Sequence, residues 1–567
     1  MKHSEISSLI WNVADDVLRG LFKPHEYGDI VLPFVVLRRL DCVLLEHKDT
    51  VIKLFDKFKS KVDDPTPIIL NEINTTFYNH SKFDLQRLRE DPANIAINFQ
   101  NYLNGFSENV REIVDNFQLE KPIEKLENAN RLFQFIEKFS DVDLHPNNVS
   151  NHMMGSVFEE LLRKFSEMSN ETSGEHYTPR DVVRLLVAMV FSEDKKDLQG
   201  TGKVRSIFDP CCGTGGMLTI GKDWVHENIN DKMKFRLLGQ ELNPQTYSIC
   251  KSDMMITGED PENIRLGSSL SEDRFQGERF DYMLSNPPYG VSWSSEKEFV
   301  KNEAENPDGR FTAGTPRSSD GQLLFLQHMI SKMEDKGSRI GIVMNGSPMF
   351  TGDAGSGESD IRKWIIENDW LECIVALPDQ MFFNTGISTY LWILNNKKSD
   401  ERKGKVQLID GSYFFTQMKK SLGNKRKEIA DDKREEILKT YLGFEANEYC
   451  HIYPNEYFGY TKVTVEQPLI EDGEVVTDKK GNVKPDSKKR DYERIPLSGD
   501  IESYFDKEVK PHLADAWMEL SKNKVGYEIN FTKYFYKYKP LRSLDDITAD
   551  LLKLDQETEV LMKELVH

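Results

Sequence analysis

The chain has 567 residues, 38% of them hydrophobic and 10% aromatic, which is enough apolar material for several packed domains and rules out a disulfide-stapled miniprotein. Charged residues make up 30%, and the net charge of -20 excludes a protein that grips nucleic acid over its whole surface, because phosphate binding needs clustered Lys and Arg. No apolar run approaches the ~18 residues of a membrane span, the first residues lack the apolar core of a secretory signal, and six cysteines without CxxC spacing point to a reducing, cytoplasmic setting with no structural zinc.

In chain order, the first pattern is helical. Ile6, Leu9, Ile10, Val13, Val17 and Leu18 recur at steps of three and four, and a second apolar run covers residues 30–45. These predict an α-helical domain over residues 1–150, bounded by the turn-rich stretch between Leu144 and Ser156. Short apolar runs then alternate with helical patterns at 206–209, 235–239, 280–285, 339–344 and 371–377, which predicts an α/β domain over 151–465 with a largely parallel sheet. The last strand the pattern shows is 388–394, apolar on both faces as a central strand is.

Other segments are weaker in pattern. Residues 290–320, rich in Ser, Gly, Glu, Asn and Pro, read as a mobile surface loop. Lys419, Lys420, Lys425, Arg426 and Lys427 form a run without an intervening acid, broken as a helix by Leu422-Gly423, and fit either a solvated face or a phosphate contact. Residues 466–500 form a charged insertion with hairpin turns at Asp472-Gly473 and Lys480-Gly481-Asn482. In the C-terminal region 501–567, Leu544, Ile547, Leu551, Leu554, Thr558, Leu561 and Leu565 alternate steps of three and four. That predicts a helical tail over 543–567 whose narrow seam packs on its own domain or on a partner helix.

Two motifs carry chemistry. Asp209-Pro210-Cys211-Cys212-Gly213-Thr214-Gly215-Gly216 lies between a predicted strand and a predicted helix, where glycines let backbone approach a ligand. Glu241 ends the next strand and can accept hydrogen bonds from ribose hydroxyls. A dinucleotide fingerprint is missing, so a nucleoside without pyrophosphate, such as S-adenosylmethionine, fits better than NAD. The near-match to a phosphate loop ending in Lys222-Asp223 fails, because an acid stands where magnesium needs a hydroxyl. The second motif, Asn286-Pro287-Pro288-Tyr289, directly follows a strand. Its prolines stiffen the turn, the Asn286 side-chain carbonyl and the Pro287 backbone carbonyl can accept hydrogen bonds from an exocyclic amine, and the Tyr289 ring can stack on a base. Cys211 and Cys212 lack the setting of a cysteine nucleophile, and His145, His152 and His176 make no metal-ligand spacing.

Together these motifs resemble the signature of adenine-N6 DNA methyltransferases, and more closely the modification subunit of type I restriction-modification systems. The similarity extends to residues 9–39, to Gly174-Glu175-His176-Tyr177-Thr178-Pro179-Arg180, and to Gly526-Tyr527-Glu528-Ile529 with residues 531–538, so it covers the chain from about residue 6 to the end. The resemblance implies a Rossmann-like S-adenosylmethionine-dependent methyltransferase domain with an N-terminal helical domain and a C-terminal helical tail. It implies a cofactor site of Glu175, His176, Tyr177, Thr178, Pro179, Arg180, Asp209, Gly213, Thr214, Gly215, Gly216 and Glu241, and a catalytic set of Asn286, Pro287, Pro288 and Tyr289. One departure is Ser268-Ser269 after Gly267, where the family often has Asn or Asp. The implied substrate is an adenine flipped out of DNA, and the implied partners are a specificity subunit docked on the tail, a second copy of this chain and a restriction subunit, with no membrane. Methylation of protein glutamine or RNA, or a dormant assembly role, are the alternatives.

Overall fold

Alternate residues of a strand face opposite sides of its sheet, so strands apolar throughout need cover on both faces. In the computed structural model, which describes residues 3–169, 178–200, 202–383, 386–536 and 543–566, β1 (Val204–Asp209), β2 (Lys234–Glu241), β3 (Ile264–Leu266), β4 (Tyr282–Ser285) and β5 (Arg339–Asn345) are covered in this way over part or all of their length: β4 is buried throughout and β5 as far as Met344, while β1 and β2 start exposed at Val204 and Lys234 and become buried from Ser206 and Leu237. They run parallel in the order β3-β2-β1-β4-β5. Ile207 joins the apolar cluster of the covering helix Arg180–Ser192. Phe208, its neighbour, stacks on Phe280 at 4.2 Å and meets His328 of the helix Gln322–Ser331 edge-on. Strand order reverses at β1, which lies between β2 and β4, so the crevice of this sheet opens at the carboxyl ends of β1 and β4.

Beyond β5 the sheet is mixed rather than parallel. β7 (Thr389–Asn395) runs antiparallel between β5 and β6 (Leu371–Ala376), and β8 (Lys405–Asp410) is parallel to β6. A ribbon of β9 (Thr416–Leu422) and β10 (Lys425–Glu428) leaves the sheet, so the basic run is a hairpin and not a broken helix. β11 (Cys450–Pro454) then pairs antiparallel with β8 at the edge. β8 and β11 escape the sequence pattern because they are short and carry polar residues such as Gln407 and His451 among the apolar ones.

The helices His3–Leu18, Gly28–Leu44 and Leu132–Ser140 share one apolar core, and the helix Asn151–Ser169 adds Met154, Val157, Phe158, Leu161 and Phe165 to it. The helical body therefore extends past residue 150. Two buried arginines fasten the intervening turns: Arg38 donates to the Val142 carbonyl at 2.7 Å and Arg39 to the Val149 carbonyl at 2.7 Å. The helix Pro244–Thr257, which follows β2, inserts Ile249 and Met255 into the same core, and its Lys251 pairs with Glu112 at 2.8 Å. The helical body is thus joined to the sheet through the element next to Glu241.

Residues 290–320 are packed, contrary to the expectation of a mobile loop. Trp293, Val300 and Phe311 are buried with Leu270 and Leu324, and the helix Lys297–Glu305 lies within the segment. Arg310 donates to the backbone carbonyls of Ser269 at 2.6 Å and Leu270 at 2.9 Å, which fastens the segment to the loop after β3. Its sparse apolar residues have no period, yet they converge on one small core.

A second, antiparallel sheet sets β12 (Gly459–Glu466) between β15 (Asp491–Pro496) on one side and β16 (Trp517–Met518) with β17 (Lys524–Tyr527) on the other. Inside the insertion, β13 (Ile470–Glu471) and β14 (Glu474–Val475) make a hairpin. Its turn has positive φ at both Asp472 and Gly473, the twist that suits paired strands. Because β17 belongs to this sheet, residues 1–529 form one compact unit and 530–567 another. The boundary falls inside the region 501–567 that the sequence suggested as one piece. In the second unit the helix Leu544–Val566 leaves Leu544, Leu551 and Leu554 exposed. No described helix is long and apolar enough to cross a membrane.

Candidate active site

β1 ends at Asp209 and the chain turns there into the helix Gly216–Asn228. Gly213 and Gly215 have φ of +53° and +82°, a region that side-chain-bearing residues rarely occupy. Around Gly213 a Cβ would meet no protein atom within 4 Å, so this backbone is open to a ligand, whereas at Gly215 it would lie 2.8 Å from the Cys250 sulfur. One glycine serves the ligand side and the other the packing.

Asp209 is buried, and its carboxylate accepts from the Cys211 N–H at 3.0 Å and the Ser285 hydroxyl at 2.8 Å. Burial pushes its pKa up to about 7 against the pull of those hydrogen bonds. Ser285 is the last residue of β4, so this carboxyl ties the glycine turn to the strand end that presents Asn286. Glu241 braces the turn from the other side, accepting from the Gly213 N–H at 2.8 Å and from the Asn243 N–H at 2.8 Å.

These elements converge on one cleft of about 490 Å³, lined by Thr178, Asp209, Gly213, Thr214, Gly216 and Asn286. Its size suits a nucleoside-sized ligand. Of the other expected residues, Gly215 and Glu241 stand behind the turn, Arg180 lines an adjoining cleft, and Pro179 caps the start of the helix Arg180–Ser192. Glu175, His176 and Tyr177 lie outside the described residues. The described residues hold no metal-binding cluster.

Tyr289, expected to stack on a base, is turned inward in this structure. The ring is only 5% exposed, stands edge-on to Phe382 at 6.3 Å, and its hydroxyl donates to the Asn286 side-chain oxygen. A buried phenol needs an acceptor, and the Asn286 amide supplies it. Stacking on a base therefore requires that this hydrogen bond open. Pro287 is buried beside it and, like Pro288, has no N–H to satisfy.

The cysteines are poor nucleophiles in this setting. Burial pushes the Cys211 thiol far above its ordinary value, and the neighbouring Cys250 thiol together with burial does the same for Cys212. Ser268 donates to Glu296 and Ser269 to the Pro210 carbonyl at 2.5 Å, so both serines of the departing motif are committed to holding loops.

One residue of the cleft had no motif to announce it. Glu159, from the helix Asn151–Ser169, lines this cleft and the adjoining one, and accepts from Arg180 Nε at 2.9 Å. Burial pushes its pKa up to about 7 even with Arg180 beside it. The guanidinium crosses the helix at Gly155, where a Cβ would come within 2.3 Å of it. That glycine inside a helix, one turn before an acid, is the signal the sequence held.

The family model described as N-6 DNA methylase matches residues 149–467, and the one described as the HsdM N-terminal domain matches residues 6–139. A type I restriction enzyme methylase subunit, MjaIX of Methanocaldococcus jannaschii, is 27% identical over 495 residues, 83% of each chain. The HindI methylase subunit of Haemophilus influenzae is 30% identical over 259 residues, 46% of this chain and 54% of that one. The crystal structure of a type I restriction-modification methyltransferase subunit from Streptococcus thermophilus shares the fold, with a TM-score of 0.64 at 22% identity over 80% of this chain and 96% of that chain.

Proposed function

The chain belongs to the N-6 DNA methylase family, and on that premise we propose that it methylates N6 of adenine in DNA as the modification subunit of a type I restriction-modification complex. The observation that carries the reading is the single cleft in which Asn286 faces the glycine turn. Its lining suits S-adenosylmethionine: backbone at Gly213 leaves space beside it, and the buried carboxyl of Asp209 and the half-buried carboxyl of Glu159 are matched to a ligand with positive charge. When bound, the cofactor supplies an electrophilic methyl group on a sulfonium centre.

The residues of the chain then act on the acceptor. An adenine amine is a weak nucleophile because its lone pair is delocalised into the ring. The Asn286 side-chain oxygen and the Pro287 carbonyl accept hydrogen bonds from its two N–H groups, draw the nitrogen towards tetrahedral geometry and stabilise the positive charge that grows on it. Tyr289, once released from Asn286, stacks on the extruded base. With both thiols held protonated, attack is direct and no covalent enzyme intermediate forms.

An acidic chain leaves sequence reading to a specificity subunit, for which the exposed leucines of the helix Leu544–Val566 form the docking seam. A second copy of the chain and a restriction subunit complete the complex, which acts in the cytoplasm. The test is transfer of labelled methyl by the chain assembled with its specificity subunit. Label is expected on DNA; label on protein or RNA with none on DNA would overturn the reading.

A further inference from the structure

The hairpin of β9 and β10 carries five cations, and the structure divides them into two sets. Lys425 is buried and bonds both carboxylate oxygens of Asp181 at 3.0 and 3.1 Å, and Asp181 also accepts from the Ile429 N–H at 2.9 Å. Lys427 pairs with Asp379 and lies over the Phe415 ring at 4.1 Å. Lys419, Lys420 and Arg426 are exposed, and none of them has an ion-pair partner among the described residues of a chain with a net charge of -20. Glu428 is the only acid on the two strands.

The turn of the hairpin and its strand β10 are held beside the cleft from two directions. The Asn424 N–H donates to the Phe383 carbonyl at 2.7 Å and the Arg426 N–H to the Gln380 carbonyl at 3.0 Å, in the loop whose Phe382 packs on Tyr289. On the other side, Asp181 follows Arg180 and opens the helix next to the cleft-lining Thr178. The anchoring lysines cancel Asp181 and Asp379, which leaves the exposed Lys419, Lys420 and Arg426 as a local positive charge.

We infer that this hairpin holds the phosphate backbone of DNA beside the extruded base, with Lys419, Lys420 and Arg426 as its phosphate contacts. The inference rests on the reading of the chain as a DNA methyltransferase and adds the surface that receives the duplex. It accounts for how a strongly acidic chain offers DNA a foothold: the charge is local and exposed, Asp181 and Asp379 beside it are already paired, and three cations there outweigh the lone Glu428.

The experiment measures binding of a fluorescein-labelled duplex of mixed sequence to the full chain assembled with its specificity subunit, over a range of potassium chloride concentrations. With Lys419→Gln, Lys420→Gln and Arg426→Gln together, the slope of log affinity against log salt should become shallower by about two to three, with each single variant losing about one. Cofactor affinity and assembly with the specificity subunit should stay as in the wild type. Lys419→Arg with Lys420→Arg should keep the full slope. An unchanged slope in a complex that still methylates DNA would overturn this inference alone, and so would loss of the specificity subunit with an unchanged slope, which would mark a protein-docking face. A wild-type complex that transfers no methyl to DNA would overturn the functional reading beneath it.

Discussion

Glu372 and Asp209 are both buried carboxyls on one sheet, but they stand at opposite ends of it and are treated in opposite ways. Glu372, near the amino end of β6, accepts from Arg339 at 2.9 Å, from Asn395 at 3.0 Å and from the Tyr441 hydroxyl. Burial opposes its charge, but Arg339 and Arg402 overcome that and hold its pKa down to about 2. The same end is laced by Arg402 to Glu193 at 2.7 Å and Arg205 to Asp281 at 3.0 Å. At the carboxyl end Asp209 has only neutral donors, and burial pushes it up to about 7. One end spends its charges on holding the fold, and the other keeps acids whose charge a cationic ligand can complete.

The widest break in this comparison should come from Glu372→Ala, which takes from Arg339 its buried partner and leaves it only the partly exposed Asp194 at 3.1 Å. Unfolding in denaturant should show a loss of about 3–5 kcal/mol, while calorimetry finds the cofactor affinity of the folded protein unchanged. A loss below about 1 kcal/mol would mean that the amino end is not a lock. Asn286→Ala should do the reverse: turnover falls about a hundred- to thousandfold, near 3–4 kcal/mol of transition-state stabilisation, with cofactor binding retained and a smaller loss of stability, about 1–3 kcal/mol, from the buried Tyr289 hydroxyl left without its acceptor. Unchanged turnover would remove Asn286 from the catalytic set.

A smaller effect sharpens the contrast through pH. Glu372 titrates lower in the folded chain than in the unfolded one, so its contribution is present above its unfolded pKa of 4.5 and is lost as pH falls towards about 2. For Asp209 the sign is opposite: its contribution is complete below 3.8 and is lost as pH rises through about 7. In the absence of cofactor, Asp209→Asn should therefore gain stability relative to wild type by more than about 1 kcal/mol between about pH 5 and pH 8, read from urea unfolding at both. Parallel curves would show that the burial of Asp209 is not what sets its charge. The smallest effect on stability belongs to deletion of residues 543–567, within about 0.5 kcal/mol because Leu544, Leu551 and Leu554 are exposed. The same deletion should abolish capture of the specificity subunit, and an intact complex would refute the docking seam.

Much of the fold and of the site was legible before any coordinates. The helical first region, the strands β1, β2, β4 and β5 with the helices between them, the glycine turn, Glu241 at the end of β2 and the tetrapeptide after β4 are where the patterns put them, while the three-residue β3 had no pattern of its own. Each is a local matter: a left-handed φ calls for glycine, a stiff turn calls for proline, and a two-sided strand carries a run of consecutive apolar residues. What the tertiary structure alone decided depends on partners far off in sequence. The core under residues 290–320, the edge strands β8 and β11, the inward turn of Tyr289, the reach of Glu159 into the cleft and the pairing of Lys425 with Asp181 all arise when distant segments close on one another. The alphabet of a segment records the backbone shape it must take, whereas the burial of a charge, and with it the use that charge can be put to, exists only once the chain has packed around it.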